Sequence, residues 1–181
     1  MASPEVMALV TDALRGQLVS ALPSGAHVVL GAPSADAPVT VGVFVHPLRI
    51  ALSSARRNAP DRRVDDVAFR HPLDLDVDYL IAGLGDEALA ELALLDATLQ
   101  WAAEHPVRTH DRMSEGLSQP ERWASLASGS LTVRWRVLDL TLEQAASIWT
   151  AAGMRQRAGL FLRAEVQWRS GQASSGPIIG L

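Results

Sequence analysis

Apolar residues recur every three or four positions from Val6 through Leu9, Val10, Ala13, Leu14, Leu18, Ala21 and Leu22. That rhythm predicts an amphipathic helix, with Ser3 as its N-cap, Pro4 at the first helical position and Glu5 in the positive field of its first turn. Pro23, Ser24 and Gly25 stop it. His27 to Leu30 reads as a short strand, closed by Gly31-Ala32-Pro33. From Val39 the period falls to two: Val39, Val41, Val43 and Val45 share one face, and Thr40, Gly42, Phe44 and His46 take the other. This strand runs, with a break at Pro47, to about Leu52.

Residues 53 to 72 give no period and read as a long irregular connection, the kind that is commonly functional or mobile. Leu73, Leu75, Val77 and Tyr79 then alternate with Asp74, Asp76 and Asp78, a strand that continues into Leu80-Ile81. Beyond the Gly83-Leu84-Gly85 turn, Asp86 is placed to cap a helix reaching about Glu104, with Leu89, Leu92, Leu95 and Leu99 as its apolar stripe. His105-Pro106 ends that helix. Residues 108 to 128 are polar and indecisive. A strand follows with Leu131, Val133, Trp135 and Val137 on one face and Thr132, Arg134 and Arg136 on the other. Thr141 and Gln144 have capping-box spacing ahead of a short helix carrying Ala145, Ile148, Trp149 and Ala152, closed at Gly153. The last strand alternates Leu160, Leu162, Ala164, Val166 and Trp168 against Phe161, Arg163, Glu165, Gln167 and Arg169. Strands interrupted by three helices predict a single α/β or α+β sheet domain over residues 1–170. Residues 171–181 form a Gly/Ser-rich tail with an apolar end at Ile178, Ile179 and Leu181.

Composition narrows the chemistry. The 181 residues include no cysteine and no lysine, which excludes disulfides, thiol nucleophiles, Schiff bases and P-loop lysines together. No basic cluster opens the chain, so no secretory signal is expected, and the longest uncharged stretch, Gly16 to Ala35, holds two prolines and cannot span a bilayer as a helix. A net charge of −4 argues against a nucleic-acid binder. The distribution says more than the sum. Residues 56–72 carry five arginines against three aspartates, 73–104 carry eight carboxylates and no base, and 105–181 carry nine arginines against six acids. Such segregation suits self-assembly or a charged partner, as well as plain solvated faces.

No catalytic constellation stands out. Asp74-x-Asp76-x-Asp78 begins like a calcium loop, but Tyr79 stands where a turning glycine belongs and Gly85 where the bidentate glutamate would be. On a strand the three carboxylates line one face about 7 Å apart, which costs roughly 0.6 kcal/mol per adjacent pair in water and needs no metal. His105 and His110 lack a matching carboxylate, and Ser128-Gly129-Ser130 is not a nucleophile elbow. Trp101, Trp135, Trp149 and Trp168 fall on apolar faces and read as core.

The order of motifs is nevertheless informative. A leading helix precedes a strand into Leu30-Gly31-Ala32-Pro33, then the alternating strand at Val39, the Arg57-Asn58 pair, and the run His71-Pro72-Leu73 through Tyr79-Leu80-Ile81-Ala82. Leu94 to Gln100 follows, ahead of His105-Pro106-Val107, and Leu142-Glu143-Gln144 ahead of Ile148-Trp149. From about residue 3 to 170 the chain resembles the amino-terminal domain of the cap, or tail-terminator, proteins of contractile phage-tail-like injection systems. The pattern departs from that family at Asp96, where a glycine is usual, and at Val77-Asp78.

The resemblance implies a central mixed, largely antiparallel sheet flanked by three helices. It implies a structural protein: a homohexameric ring that closes the distal end of the inner tube, contacts the tube and sheath proteins, and works in the cytoplasm as part of an assembled particle. It implies no catalytic residue, cofactor, metal, nucleic acid or membrane. The charge pattern then makes interface candidates of the arginine-rich connection (Arg56, Arg57, Asn58, Arg62, Arg63) and of the acidic strand (Asp74, Asp76, Asp78). The apolar tail (Ile178, Ile179, Leu181) is a third candidate. A monomeric adaptor or binding module, and an enzyme whose residues meet only in the fold, remain open at this point.

Overall fold

A computed structural model describes residues 5–33, 41–53, 73–114, 116–123, 131–151 and 156–169, with the backbone alone of 62–64, 67–69 and Leu73. In chain order the elements are α1 (Val6–Ala21), β1 (His27–Leu30), β2 (Gly42–Leu52), β3 (Arg62–Val64), β4 (Val67–Phe69) and β5 (Leu73–Leu84). They continue as α2 (Ala88–Glu104), β6 (Val107–Thr109), α3 (His110–Met113), α4 (Pro120–Trp123), β7 (Leu131–Val137), α5 (Leu142–Ala151) and β8 (Gly159–Trp168). The fold is α+β, as the alternating periods predict, with three full helices and two single turns. Residues 107–123, without a period in sequence, contain an edge strand and both short helices.

Six strands form one sheet in the order β1-β2-β5-β8-β7-β6. Among the described residues only β1 and β2 run parallel, and every other pair is antiparallel. β3 and β4 make a separate two-stranded hairpin inside what reads in sequence as an irregular connection. Between Pro47 and Arg49 the register of β2 on β5 slips by one residue, a β-bulge at the position where the proline breaks the alternation.

Strand alternation divides the core in two. On the inner face Val43, Val45, Leu75, Val77, Tyr79, Ile81, Leu131, Val133, Trp135, Leu162, Ala164 and Val166 pack under α1 and α2. Burying such side chains contributes about 1.5–3 kcal/mol each, so this layer dominates the fold. Inside it the Tyr79 hydroxyl meets Thr11 Oγ1 at 2.9 Å, and Trp135 lies between Tyr79 and Trp101 with ring centroids 6.5 and 5.6 Å away. Burial pushes the Tyr79 phenol up to about 12. On the outer face a smaller cluster of Phe44, Leu80, Ala82, Phe161 and Trp149 holds α5 in place. Trp149 is the one buried residue of α5.

Three helix starts test the capping logic. At α5 the capping box is closed: Gln144 N donates to Thr141 Oγ1 at 3.2 Å, and Thr141 N donates to Gln144 Oε1 at 3.0 Å. At α2, Glu87 rather than Asp86 is the N-cap and makes no side-chain cap bond. The stripe of α2 also differs from expectation. Leu94, Leu95, Thr98, Trp101 and Ala102 face the core, whereas Leu89, Leu92 and Leu99 point outward. Two leucine stripes share this helix, and a period count alone cannot rank them. At α1 the N-cap is Glu5, without a side-chain cap bond, and the helix starts at Val6 rather than at Pro4; the expected cap Ser3 lies outside the described residues.

Candidate functional site: a charged ladder on the outer sheet face

Only part of the outer face is covered by α5. The rest carries charge, because the residues between the core positions of β5, β8 and β7 are polar. Cross-strand register sets them side by side: Asp78 opposite Arg163 and Arg49, Asp76 opposite Glu165, Asp74 opposite Gln167, Arg134 opposite Glu165, and Arg136 opposite Arg163. Four carboxylates and four guanidiniums therefore share one surface.

Its fixed point is Asp78, which is buried. Arg163 approaches it bidentately, Nε donating to Oδ1 at 2.6 Å and Nη2 to Oδ2 at 3.0 Å, and Arg49 Nε donates to Oδ2 at 3.1 Å. Two planar forks on one carboxylate fix geometry as well as charge. The bond to Asp78 pushes the Arg163 pKa up against a smaller opposing effect of burial. Arg136 Nη1 donates to Glu165 Oε1 at 3.0 Å at the exposed end of the ladder.

Asp76 stands differently. Burial pushes its carboxyl above the usual carboxylate range, Glu165 and Asp78 push the same way, and the attraction of Arg163 and Arg49 does not cancel them. Asp74 Oδ1 is buried without a hydrogen-bond partner among the described residues. Both aspartates line a cleft of about 400 Å³ with Ser53, Thr132, Arg134 and Glu165. An apolar groove of about 690 Å³ lies between α5 and the sheet, floored by Leu48, Leu138, Leu140, Ile148 and Phe161 and ending at the Arg49–Asp78–Arg163 clamp.

The three aspartates are thus on one face, as their spacing predicts. Asp78 is neutralised within the subunit, and Asp74 and Asp76 are left facing outward. Arg62 and Arg63 fall on β3, where only the backbone is described. Arg56, Arg57 and Asn58, and Ile178, Ile179 and Leu181, lie outside the described residues. Arg49, Arg134, Arg136, Arg163 and Glu165 belong to the site and are absent from the sequence-derived candidates. Alternation puts most of them on polar faces, but only the sheet order places them beside β5. Among the described residues no group of three or more His, Cys, Asp or Glu side chains could hold a metal ion. No described helix is long and apolar enough to cross a membrane. Paired charges on a rigid sheet, next to an apolar groove, are chemistry that can set register against another macromolecule.

Two solved structures share the fold. One, described as the sheath/tube terminator of an extracellular contractile injection system (PVC) in its extended state, matches with TM-score 0.66 and 15% identity over 99% of this chain and 63% of its own. The other, the tube-terminating cap of the anti-feeding prophage, matches with TM-score 0.63 and 15% identity over 95% of this chain and 58% of its own. The chain therefore spans about three-fifths of the length of these relatives. No curated protein matches it. A family model described as the Pvc16 N-terminal domain covers residues 9–178, nearly the whole sequence, and the chain belongs to that family.

Proposed function

We propose that this protein is a structural cap of a contractile injection system, a ring of six that closes the distal end of the inner tube and meets the last ring of sheath. The single observation that carries the reading is the family match over residues 9–178, and the likeness to two chains described as a sheath/tube terminator and a tube-terminating cap supports it. Its partners are further copies of itself, the inner-tube protein and the sheath protein, and its place is within the assembled particle. The role is architectural and needs no cofactor.

The ladder on the outer face suits this work. In a ring every contact repeats, so small pairwise terms accumulate. An exposed ion pair is worth only about 0–1 kcal/mol, so Asp74, Asp76, Arg134 and Arg136 select partner and register while apolar contacts supply affinity. The arginine-rich stretch Arg56, Arg57, Asn58 is assigned to a neighbouring subunit or the tube. The apolar tail residues Ile178, Ile179 and Leu181 are assigned to a neighbouring subunit or the sheath.

The test is electron microscopy of particles assembled with and without the chain, with the chain carrying a density label. Label at the distal end, and uncapped or length-scattered tubes in its absence, are the expected results. Uniform, closed particles lacking the chain would remove the reading.

A further inference from the structure

The outward side of α2 carries an apolar stripe that the described fold does not use. Leu89, Leu92 and Leu99 are 77%, 46% and 42% exposed, although Leu94, Leu95 and Trp101 on the same helix are core. Positions 89, 92, 96 and 99 follow the three-four-three rhythm of a helix-packing seam, and the third of them is Asp96, also exposed. Asp86 and Glu87 stand exposed beside the seam, and no basic residue occurs anywhere from 73 to 104. The occupant of this seam must therefore bring apolar side chains and positive charge together. A second α2 does not qualify, since pairing two such helices brings together carboxylates with no base among them.

We propose that the seam receives the β3–β4 hairpin of a second copy of this chain. The hairpin has the complementary composition, with Arg62 and Arg63 in β3 alongside Val64, Val67 and Phe69. Among the described residues its two strands pair only with each other, and an isolated two-stranded ribbon is marginal without a surface to cover it. The amino-terminal half of the seam is out of reach of its own hairpin. Val67, at the far end of β4, is six residues from Leu73, a reach of at most about 22 Å. The first turns of α2 sit at the other end of β5, where the Glu91 backbone lies against Gly83. Ten residues of antiparallel strand separate Gly83 from Leu73, about 34 Å. Leu89 and Leu92 are thus beyond their own hairpin. A contact between two different patches can repeat head-to-tail, the kind that closes into a ring, and the cap reading assigns it that geometry. The proposal rests on the cap reading and names an interface within its ring.

The cysteine-free sequence makes the test direct, because a single introduced thiol reports only its own neighbour. Chains carrying Leu92→Cys and Val67→Cys, mixed and mildly oxidised, are expected to form a mixed disulfide far in excess of either homodimer. A chain carrying both is expected to give a ladder of covalent oligomers. Asp96→Arg should lower the mixed yield about tenfold or more, and Arg62→Glu in the other chain should restore it. Leu99→Cys replaces Leu92→Cys if melting curves show that the latter does not fold. Leu92→Cys homodimers in excess, or no mixed product either in free solution at high concentration or in assembled particles, overturn the proposal. Absent cross-links on a chain that still labels the particle end would defeat this contact alone. Cross-links on a chain missing from the particle end would defeat the cap reading alone.

Discussion

Gly16 sits in the middle of α1, where alanine would ordinarily stabilise a helix by about 1 kcal/mol. Here a Cβ would lie 2.3 Å from Gly116 O and 2.6 Å from its carbonyl carbon, both backbone atoms that no rotamer change can remove. Gly116 itself holds φ 74°, in the left-handed region, so the loop cannot yield by a small twist that another backbone conformation would favour. Gly16→Ala must push the 116–118 segment away from α1. The ties under strain are Ser118 N and Oγ to Asp12 at 2.8 and 2.9 Å, Arg15 Nη2 to Gly116 O at 3.2 Å, and Gln17 Nε2 to Arg112 O at 3.2 Å. Most of these are solvent-exposed, so each is taken at the low end, about 0.5–1 kcal/mol. Losing three or four of them, and loosening Met113 and Trp123 beneath, outweighs the helix gain and leaves a net loss of about 1–3 kcal/mol. For a chain of this size that lowers Tm by roughly 3–10 °C. Thermal melts followed by circular dichroism and tryptophan fluorescence measure it. Val19→Ala, an exposed position on the same helix, is the control and should stay within about 0.5 kcal/mol of the parent. A Gly16→Ala melt equal to or above the parent would refute the close-approach argument.

Trp149→Ala removes the only buried side chain of α5 and should cost about 3–5 kcal/mol, with amide exchange rising first across 142–151. Tyr79→Phe leaves the ring but deletes the bond to Thr11, so a loss of about 0.5–1.5 kcal/mol is expected in urea melts. Two aspartates should respond to pH in opposite senses. Burial raises the Asp76 carboxyl, so its ionisation opposes folding above the unfolded value near 3.9, and Asp76→Asn should hold or raise Tm at pH 7. Burial also pushes Asp12 upward, but hydrogen bonds from Arg15 and Ser118 outweigh it and hold the carboxyl below the usual aspartate range. Its contribution is present above the unfolded value and is lost as pH falls through the lower folded one. Asp12→Asn should therefore lower Tm at pH 7 and flatten the acid limb of the stability curve; an acid limb as steep as the parent's would contradict it.

Much of the fold is legible in residue spacing, and the exceptions have physical causes. Period-two stretches in β5, β7 and β8 reveal both faces of the sheet, since each strand is buried on the helix side. The Thr141–Gln144 box is legible because it is local. Residues 107–113 are not, because a three-residue edge strand and a single helical turn are too short to show a period. The outward leucines of α2 mislead because a helix with two apolar stripes does not say which one is core. Of the site, the aspartate row of β5 is visible from the start. Its partners are not, because Arg49 and Arg163 reach that row only through the sheet order β2-β5-β8, a long-range fact that spacing does not contain.

The bulge in β2 acts like a shift of reading frame. Before it, odd-numbered positions Val43 and Val45 go under the helices; after it, Arg49 pairs with Asp78 and Ala51 with Asp76, so odd numbers go to the opposite side. Leu48 is the inserted letter, and both it and Arg49 reach the outer face beside it. Deleting that residue would close the bulge and leave Arg49 opposite Asp78 and Ala51 opposite Asp76, so every later side chain would keep its face. The extra residue is therefore separable from the polarity of the four positions after it. In sequences that share the fold, a one-residue gap at Leu48 is expected to leave the apolar and polar order from 49 to 52 unchanged, and gaps accompanied by an inverted order would argue against it.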